Sequence, residues 1–465
     1  MTPMADLPSS LPRRRPTDAS RPRAAAPRTR SAAPSAPAAA PPSVRPPGAR
    51  GARGHGEGEH GAHPHDVRQA AAVVAVKKLF AAETGSFFLI LGTTLFMVVL
   101  GLVMVLSSSS VEQYISSKHT SFFGAFIRQG MYAAIGVPLM LIASRVPIWF
   151  WKRWAWHILL AAVVLQLLVF TPLGYEVGGN RNWIELGSSF SAQPSEAVKL
   201  ALAVWLGMIL SVKRDLLDDW KHLAIPLVPV VGVSVGLVIL GGDLGTTMVM
   251  LLLVFAAVWF AGVRLRFLAV PVLFLLAVVP IIASGSDSRN ERIAAWMSGC
   301  TDSSDYQAAC WQSLHGTWAL ASGGLFGVGL GNSKSKWSWL PEADNDFIFA
   351  IVGEELGLIG AIVVLALFVV LAVGFVKIIR RTNDPFVRVV TGAVTAWIIG
   401  QALINIAVVL GLLPVLGVPL PLISAGGSAL IVTLAAIGVV LSFARRPEDP
   451  TVPMPPVGQR VGSLR

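Results

Sequence analysis

Long apolar stretches separated by short polar connections occupy most of the sequence between residues 84 and 444. A stretch of about twenty apolar residues matches the hydrocarbon core of a bilayer, where a helix satisfies its own backbone hydrogen bonds. Charged residues make up only 14% of the chain, against roughly 25% in soluble proteins. The pattern therefore predicts an all-α polytopic membrane protein with about ten transmembrane helices, over residues 84–108, 122–143, 155–173, 195–211, 222–240, 244–262, 266–284, 346–378, 386–413 and 424–444.

Basic residues orient the predicted helices. They lie mainly in the N-terminal segment and in the connections after the second, fourth, sixth, eighth and tenth predicted helices. Short cytoplasmic loops carry such an excess, so we expect both termini to be cytoplasmic. Contact of these loops with anionic lipid accounts for the net charge of +11, and the sequence contains no nucleic-acid-binding motif. The extracytoplasmic face then receives the loops 109–121, 174–194, 241–243, 285–345 and 414–423, of which 285–345, between helices seven and eight, is the longest.

Composition divides the chain into three parts. Residues 1–68 are rich in Pro, Ala and Arg and have few large apolar side chains, which predicts a disordered, basic cytoplasmic tail. Residues 69–446 are expected to form the membrane domain, and 447–465 a short cytoplasmic tail. The long loop also holds Cys300 and Cys310, which are either unrelated thiols or, if the loop is extracytoplasmic, a disulfide.

Acidic residues mark the junction between the long loop and the eighth predicted helix, in the stretch WLPEADNDFIFAIVGEEL (339–356). The helix dipole stabilises a carboxylate at the N-terminal end of a helix, so Asp344 or Asp346 can be an ordinary helix cap. Glu354 and Glu355 lie about two turns further in, and charges at that depth normally face a cavity or a partner. We therefore expect a polar cavity at this junction.

Further polar residues interrupt the apolar pattern near the same face. Glu196 and Lys199 are three residues apart at the start of the fourth predicted helix, where they either neutralise each other or bind substrate. Asp243 begins the sixth predicted helix, and Arg292 and Lys336 lie in the long loop. Cations suit phosphate and a carboxylate suits a hydroxyl, but the residues alone predict only an outward-facing polar cavity.

Five segments together resemble the SEDS family of cell-division and elongation proteins: GGNRNWIELG (178–187), AQPSEAVKLALA (192–203), GGDLGTT (241–247), GLFGVGLGNSKSKWSWLPEADNDFIFAIVGEELGLIGA (324–361) and INIAVVLGLLPVLGVPLPLISAGGSAL (404–430). They occur in the family's order, and the resemblance extends from about residue 84 to 446. Within the family the chain is most similar to the division branch in its actinobacterial form, with the elongation branch as the alternative. The resemblance implies a glycosyltransferase that polymerises lipid II into septal glycan strands on the outer membrane face, with inversion and release of undecaprenyl pyrophosphate.

The resemblance also implies roles for individual residues. Asp346 matches the family's essential aspartate, which is thought to act as general base on the 4-hydroxyl of the acceptor sugar. Substrate binding is expected of Glu196, Lys199, Asp243, Arg292, Lys336, Glu342 and Glu355. The sequence shows no dedicated metal motif, although Mg²⁺ or Mn²⁺ would suit the oxygen ligands of a pyrophosphate.

Two other functions are compatible with the sequence. One is a flippase that moves lipid II across the membrane, but the polar residues cluster toward the outer face rather than at the midplane expected of a transporter. The other is a scaffold for division proteins, which can coexist with catalysis. As partners, the resemblance implies lipid II, the nascent glycan strand, other division proteins and a class B penicillin-binding transpeptidase of the FtsI type, with no nucleic acid.

Overall fold

The computed structural model describes residues 84–116, 122–177, 180–185, 191–264, 266–267, 287–300, 310–337 and 339–445. Most of these residues are helical, as the apolar pattern predicts. The helices within these ranges are α1 (Gly85–Ser116), α2 (Gly124–Ala143), α3 (Ile148–Leu167), α4 (Pro194–Val212), α5 (Trp220–Leu240), α6 (Leu244–Phe260), α7 (Asp287–Ser298), α8 (Cys310–Gly323), α9 (Ile348–Arg381), α10 (Pro385–Val409) and α11 (Gly427–Phe443).

Helices long and apolar enough to cross a membrane number seven among the described residues, namely α1 to α5, α9 and α10. Helices α6 and α11 are apolar but shorter, at 17 residues each. The predicted span 266–284 lies outside the described residues apart from its first two positions, and so do the predicted tails 1–68 and 447–465. The chain is thus a multi-pass helical protein, while the number of ten spans stays a prediction.

Aspartates and prolines start several of these helices. The Asp243 carboxylate accepts a hydrogen bond from the backbone N–H of Thr246 at 2.8 Å, and the Asp384 carboxylate accepts one from Phe386 at 2.9 Å. Pro194 and Pro385 occupy the first position of α4 and α10, where the missing N–H costs no helical hydrogen bond. These caps fix where α4, α6 and α10 begin.

A small antiparallel sheet departs from the predicted all-α class. Its strands are β1 (Gly174–Val177), β2 (Asn180–Glu185) and β3 (Ser191–Ala192), in the spatial order β1-β2-β3. The sheet lies within the predicted loop 174–194 and leads directly into α4. The helical expectation therefore holds for the apolar segments that the structure describes, whereas this connection is extended.

Small residues bring the helices close together, as is usual in membrane bundles. A Cβ atom at Gly438 of α11 would stand 2.5 Å from the carbonyl oxygen of Met140 in α2, and one at Gly101 of α1 would stand 2.7 Å from that of Leu422. Larger residues at these glycines would push the backbones apart.

The predicted long loop 285–345 contains ordered helices where the structure describes it. Helices α7 and α8 lie inside it, and Cys300 and Cys310 form a disulfide between the end of one and the start of the other, with 5.6 Å between their Cα atoms. The alternative of unrelated thiols is therefore wrong. The indole N–H of Trp296 in α7 donates to the Gly411 carbonyl at 3.0 Å and so ties α7 to the segment after α10.

Helix α9 is broken at Gly357, which adopts φ 69° and ψ −167°. The break divides α9 into a short half, residues 348–356, and a long half, residues 358–381. Residues 324–336, which precede α9 in the sequence and which we call the inserted loop, pack against the break. Backbone N–H groups of Val328 and Gly329 donate to the carbonyls of Glu354 and Glu355 at 2.9 and 3.0 Å. The polar groups released by the break are thereby satisfied.

Candidate functional site

Asp346 lies two residues before the short half of α9 and is only 5% exposed. Its Oδ1 atom has no hydrogen-bond partner among the described residues. Phe347 beside it is fully buried and packs on α8 at Gly316, where a Cβ atom would come within 2.6 Å of the phenyl ring. The carboxylate is therefore held in an apolar environment with one oxygen left unpaired.

Backbone hydrogen bonds fix the segment that carries Asp346. The side-chain amide of Asn405, in α10, donates to the carbonyls of Asp346 at 2.7 Å and Val418 at 2.8 Å. The Ser424 hydroxyl donates to the Asn345 carbonyl at 2.6 Å. The segment is thus attached both to α10 and to the irregular chain between α10 and α11.

Helix α8 holds the other end of the same segment. The indole N–H of Trp311 donates to the Trp339 carbonyl at 2.8 Å, and the two rings stack with 6.1 Å between centroids. The Gln312 amide donates to the Pro341 carbonyl at 3.3 Å. The segment 339–346 is thus attached to α8 at its start and to α10 at its end.

The environment of Asp346 raises its pKa from 3.8 to about 7. Burial is the main cause, because desolvation disfavours the charged form, and the nearby carboxylate of Glu342 acts in the same direction. The positive charge of Arg292 on α7 opposes the rise, while Asp344 adds to it. A carboxylate with a pKa near 7 and a free oxygen is suited to accept a proton at neutral pH.

The N-terminal ends of four helices meet near this carboxylate. Gln193, just before α4, donates its side-chain amide to the Asp243 carboxylate of α6 at 2.8 Å, and its backbone N–H to the Ser428 hydroxyl of α11 at 3.0 Å. The Ala425 N–H, just before α11, donates to the Asp344 carbonyl at 2.8 Å, close to the start of α9. The positive ends of helix dipoles favour anions, so this end of the bundle is suited to bind phosphate groups.

Glu196 and Lys199 form a buried ion pair at the start of α4. The Lys199 Nζ lies 2.8 Å from Glu196 Oε1, and the two side chains are 1% and 4% exposed. Lys199 also donates to Gln401 Oε1 at 3.1 Å, and the Gln401 amide donates to the Pro419 carbonyl at 2.9 Å. Glu196 Oε2 is buried without a partner among the described residues. The pair therefore neutralises itself and joins the segment between α10 and α11, with one carboxylate oxygen unused.

Lys336 and Glu355 also contact each other. Their Nζ and Oε1 atoms are 3.3 Å apart, in a region where the two side chains are 4% and 0% exposed. Arg292 and Glu342, in contrast, are exposed. Arg292 and Glu342 are therefore accessible to a ligand, although the Glu342 carboxylate also accepts a hydrogen bond from the Asn345 amide at 3.1 Å. Lys199, Lys336 and Glu355 are buried and contact protein groups.

A metal site made by the protein alone is not found in the described ranges. No group of three or more His, Cys, Asp or Glu side chains is placed there to hold an ion. The sequence left Mg²⁺ or Mn²⁺ open only as an ion that accompanies the pyrophosphate, whose oxygens suit such ions as ligands.

Three residues of this network were not singled out from the sequence. Gln193 precedes a helix-starting proline, Ser424 lies in a glycine-rich segment, and Ser107 belongs to a run of four serines at the end of the first apolar stretch. Gln193 bonds Asp243, Ser424 bonds Asn345 and Ser107 bonds Glu355, and each partner lies more than 40 positions away in the sequence. A sequence pattern read locally gives no signal for such contacts.

Replacing Asn405 by leucine is expected to destabilise the protein by about 2–4 kcal/mol, because two buried carbonyls then lose their donor. Thermal unfolding of the purified protein measures this effect. Leu403→Ala serves as control on the same helix, since Leu403 is 56% exposed and its replacement should change stability by less than about 1 kcal/mol. Equal unfolding temperatures for the two variants would show that the Asn405 amide does not anchor the segment of Asp346.

Comparisons with known proteins agree with this architecture. A family profile described as FtsW/RodA/SpoVE, cell cycle protein, matches residues 87–448. The probable peptidoglycan glycosyltransferase FtsW of Mycobacterium tuberculosis is 38% identical over 361 residues, which cover 77% of this chain and 68% of the relative. The FtsW of Coxiella burnetii is 38% identical over 364 residues, covering 77% of this chain and 95% of the relative. Stage V sporulation protein E of Bacillus subtilis is 34% identical over 365 residues, covering 78% and 98%.

Two solved structures share the fold. A chain from a peptidoglycan synthase complex that coordinates polymerisation and crosslinking superimposes with a TM-score of 0.62 at 25% identity, over 78% of this chain and 98% of that one. The rod shape determining protein RodA of Thermus thermophilus superimposes with a TM-score of 0.57 at 26% identity, over 78% and 97%.

Proposed function

The chain belongs to the FtsW/RodA/SpoVE family of cell cycle proteins, and on that basis we propose that it is a peptidoglycan glycosyltransferase that polymerises lipid II into glycan strands. The observation that carries the proposal is the buried carboxylate of Asp346, which has a pKa near 7 and an unpaired oxygen beside converging helix N-termini. A base and an anion-binding region side by side are what a hydroxyl attack on a sugar pyrophosphate requires.

In the proposed reaction Asp346 removes the proton from the 4-hydroxyl of the acceptor sugar. The acceptor oxygen attacks the anomeric carbon of the donor, the bond from that carbon to the pyrophosphate oxygen breaks, and undecaprenyl pyrophosphate leaves. A single displacement inverts the anomeric centre, which is consistent with one base and no protein nucleophile. Holding both lipid-anchored substrates at this site supplies a further part of the rate enhancement.

The roles that we propose for the other expected site residues depend on whether each residue is exposed or buried. Arg292 and Glu342 are exposed and their charges act on Asp346, so we assign them contacts with the pyrophosphate and the acceptor sugar. Asp243, half-buried at the start of α6, supports the anion-binding end through Gln193. For Lys199 and Glu196 we propose that substrate binding uses the unpaired Glu196 oxygen, with Lys199 orienting it.

A class B penicillin-binding transpeptidase of the FtsI type is the partner we propose. One structural relative belongs to a peptidoglycan synthase complex in which polymerisation and crosslinking are coordinated. Crosslinking follows polymerisation chemically, because a transpeptidase acts on strands already made. We further propose that the active site faces the outer side of the membrane, that both termini are cytoplasmic, and that the complex works at the division septum.

Polymerisation of purified lipid II, by the protein reconstituted with its transpeptidase, tests the enzyme against the flippase. The expected result is glycan strands together with undecaprenyl pyrophosphate. Movement of labelled lipid II across vesicles without any polymer would favour the transporter instead. Whether depletion of the protein in cells blocks septation or elongation separates the division function from the elongation function.

The polymerisation rate is expected to depend on pH through Asp346. Only the ionised carboxylate accepts a proton, and its pKa is raised to about 7, so the rate should fall about tenfold per pH unit below that value and level off above it. Initial rates measured from about pH 5 to about pH 9 give the profile. A rate that stays constant between about pH 5 and about pH 7 would contradict a base with this pKa.

A further inference from the structure

The break in α9 is surrounded by a buried cluster of polar side chains. Glu355, at the end of the short half, is 0% exposed, and its two carboxylate oxygens accept hydrogen bonds from the Ser107 hydroxyl of α1 at 2.6 and 2.7 Å. The Lys336 ammonium, from the inserted loop, donates to the same carboxylate at 3.3 Å and to the Gly331 carbonyl at 2.6 Å. Both charged groups are therefore occupied entirely by protein partners.

Glu354 makes a second set of contacts between the same two elements. One of its oxygens accepts a hydrogen bond from the Ser333 hydroxyl at 2.6 Å, and the other accepts one from the Lys334 backbone N–H at 2.9 Å. Glu354 is 1% exposed. Adjacent carboxylates thus attach the short half of α9 to the inserted loop on one side and to α1 on the other.

The short half carries the proposed catalytic base at its opposite end. It begins two residues after Asp346 and ends at Leu356, next to the break, so it is only about two and a half turns long. A segment this short behaves as a rigid body, and a shift at Glu355 moves Asp346 with it. Because the helix does not continue through Gly357, the long half of α9 is connected to this segment only through that residue and the hydrogen bonds of the inserted loop, which contains Lys336.

We propose that Lys336 and Glu355, together with Ser107, position Asp346 for catalysis and do not contact the substrate. The inference rests on the proposed function. The three side chains form a latch that fixes the far end of the short half and so sets the place and surroundings of the carboxylate. A buried ion pair adds little net stability, but removing one partner leaves an uncompensated charge that displaces its neighbours.

A double-mutant cycle tests the latch. Lys336→Met leaves the Glu355 carboxylate without a cation, and Glu355→Gln leaves the Lys336 ammonium without an anion. Each single variant is expected to lower kcat by at least about tenfold with the KM for lipid II within about twofold of wild type. The double variant carries neither charge, so its kcat should recover to within about threefold of wild type.

The pH profile distinguishes positioning from a general loss of folded protein. The charges that act on Asp346 are Glu342 and Asp344 on its own segment and Arg292 on α7, while α10 contributes the uncharged amide of Asn405. Displacement of the short half changes the distances to these groups. The acid limb of the profile should therefore move in each single variant and return in the double variant, whereas a smaller active fraction would leave it in place.

Hydrogen exchange gives a readout that needs no activity. The Val328 and Gly329 amides, which donate to the Glu354 and Glu355 carbonyls, should exchange at least about tenfold faster in the single variants and regain protection in the double variant. Lys334→Met is the matched control, since Lys334 is exposed on the same loop and its replacement should change neither exchange nor rate.

These experiments test the latch and the proposed function independently of each other. If wild type makes no polymer, the proposed function fails, yet the exchange measurements still test the latch. Unchanged exchange in Lys336→Met and Glu355→Gln would overturn the latch whatever the activity. A double variant no more active than Lys336→Met, with a raised KM and an unmoved acid limb, would overturn it in favour of direct substrate contact by Lys336.

Discussion

The Asp346→Asn variant is expected to lose lipid II polymerisation by about 10²–10⁴-fold, the usual contribution of a general base. Asparagine keeps the size of the side chain but cannot accept the proton of the sugar hydroxyl. The measurement is the rate of strand formation by the reconstituted variant with its transpeptidase. A rate close to that of wild type would remove Asp346 from the role of base.

Asp344→Asn is the matched control for this experiment. Asp344 lies two residues away on the same segment, is less buried, and contributes its backbone carbonyl, which the substitution leaves in place, to the hydrogen bond from Ala425. The control removes one negative charge near the site without removing the base, so its rate should stay within about tenfold of wild type. Comparable losses in both variants would point to the charge of the segment rather than to proton transfer.

The same Asp346→Asn variant should be more stable than wild type at alkaline pH. The folded protein holds the Asp346 proton more tightly than the unfolded chain does, so wild-type stability is lost as the pH rises from the ordinary value of 3.8 through about 7. The full rise in pKa corresponds to about 4 kcal/mol, which is an upper limit for the gain. Unfolding temperatures should differ most at about pH 9 and converge near about pH 4, and a variant less stable than wild type at every pH would contradict this account.

Replacing Gly357 by alanine is expected to prevent correct folding, at a cost above about 4 kcal/mol. The backbone at Gly357 has φ 69° and ψ −167°, a combination that is essentially restricted to glycine. A Cβ atom there would also stand 2.5 Å from the Leu325 carbonyl oxygen, and the backbone of the inserted loop cannot yield without losing its hydrogen bonds to α9. Yield of monodisperse protein and its unfolding temperature report the effect.

Gly324→Asn separates the steric contribution from the conformational one. Gly324 also has a positive φ, of 55°, but a Cβ atom there would meet nothing within 4 Å. Asparagine tolerates this conformation, so the substitution should cost about 1 kcal/mol and preserve folding. If Gly357→Ala lowers stability no more than Gly324→Asn does, then α9 can form a continuous helix at position 357. The contacts of the inserted loop with the break are in that case not required for folding.

Hydropathy predicted the helical segments because helices that lie in a lipid bilayer need apolar side chains along most of their length. Nine predicted spans have a helix in the structure, with the same order and similar bounds. The break in α9 was missed because apolar residues continue on both sides of Gly357, and one glycine in an apolar stretch gives no hydropathy signal. The strands within 174–194 were missed because they are short and pair only with one another.

Only part of the candidate site could be predicted from the sequence. Asp346 and its acidic neighbours stand out because carboxylates at the mouth of an apolar helix are costly. The pairing of Lys336 with Glu355, 19 residues apart, depends on how the inserted loop folds back on the broken helix. Likewise, the contact between Gln193 and Asp243 depends on which helix ends meet. Such pairs follow from packing, which hydropathy does not encode.

The break in α9 also bears on how the protein tolerates membranes of different thickness. The long half, from Leu358 to Arg381, is long enough to cross the hydrocarbon core by itself, since about 20 residues suffice. A helix this long adjusts to a thinner or thicker bilayer by changing its tilt. The short half is joined to it through the non-helical Gly357 and through hydrogen bonds of the inserted loop, so the two halves are not one continuous helix and need not tilt by the same angle. The break is therefore a position at which the long half can change its tilt without an equal rotation of the segment that carries Asp346.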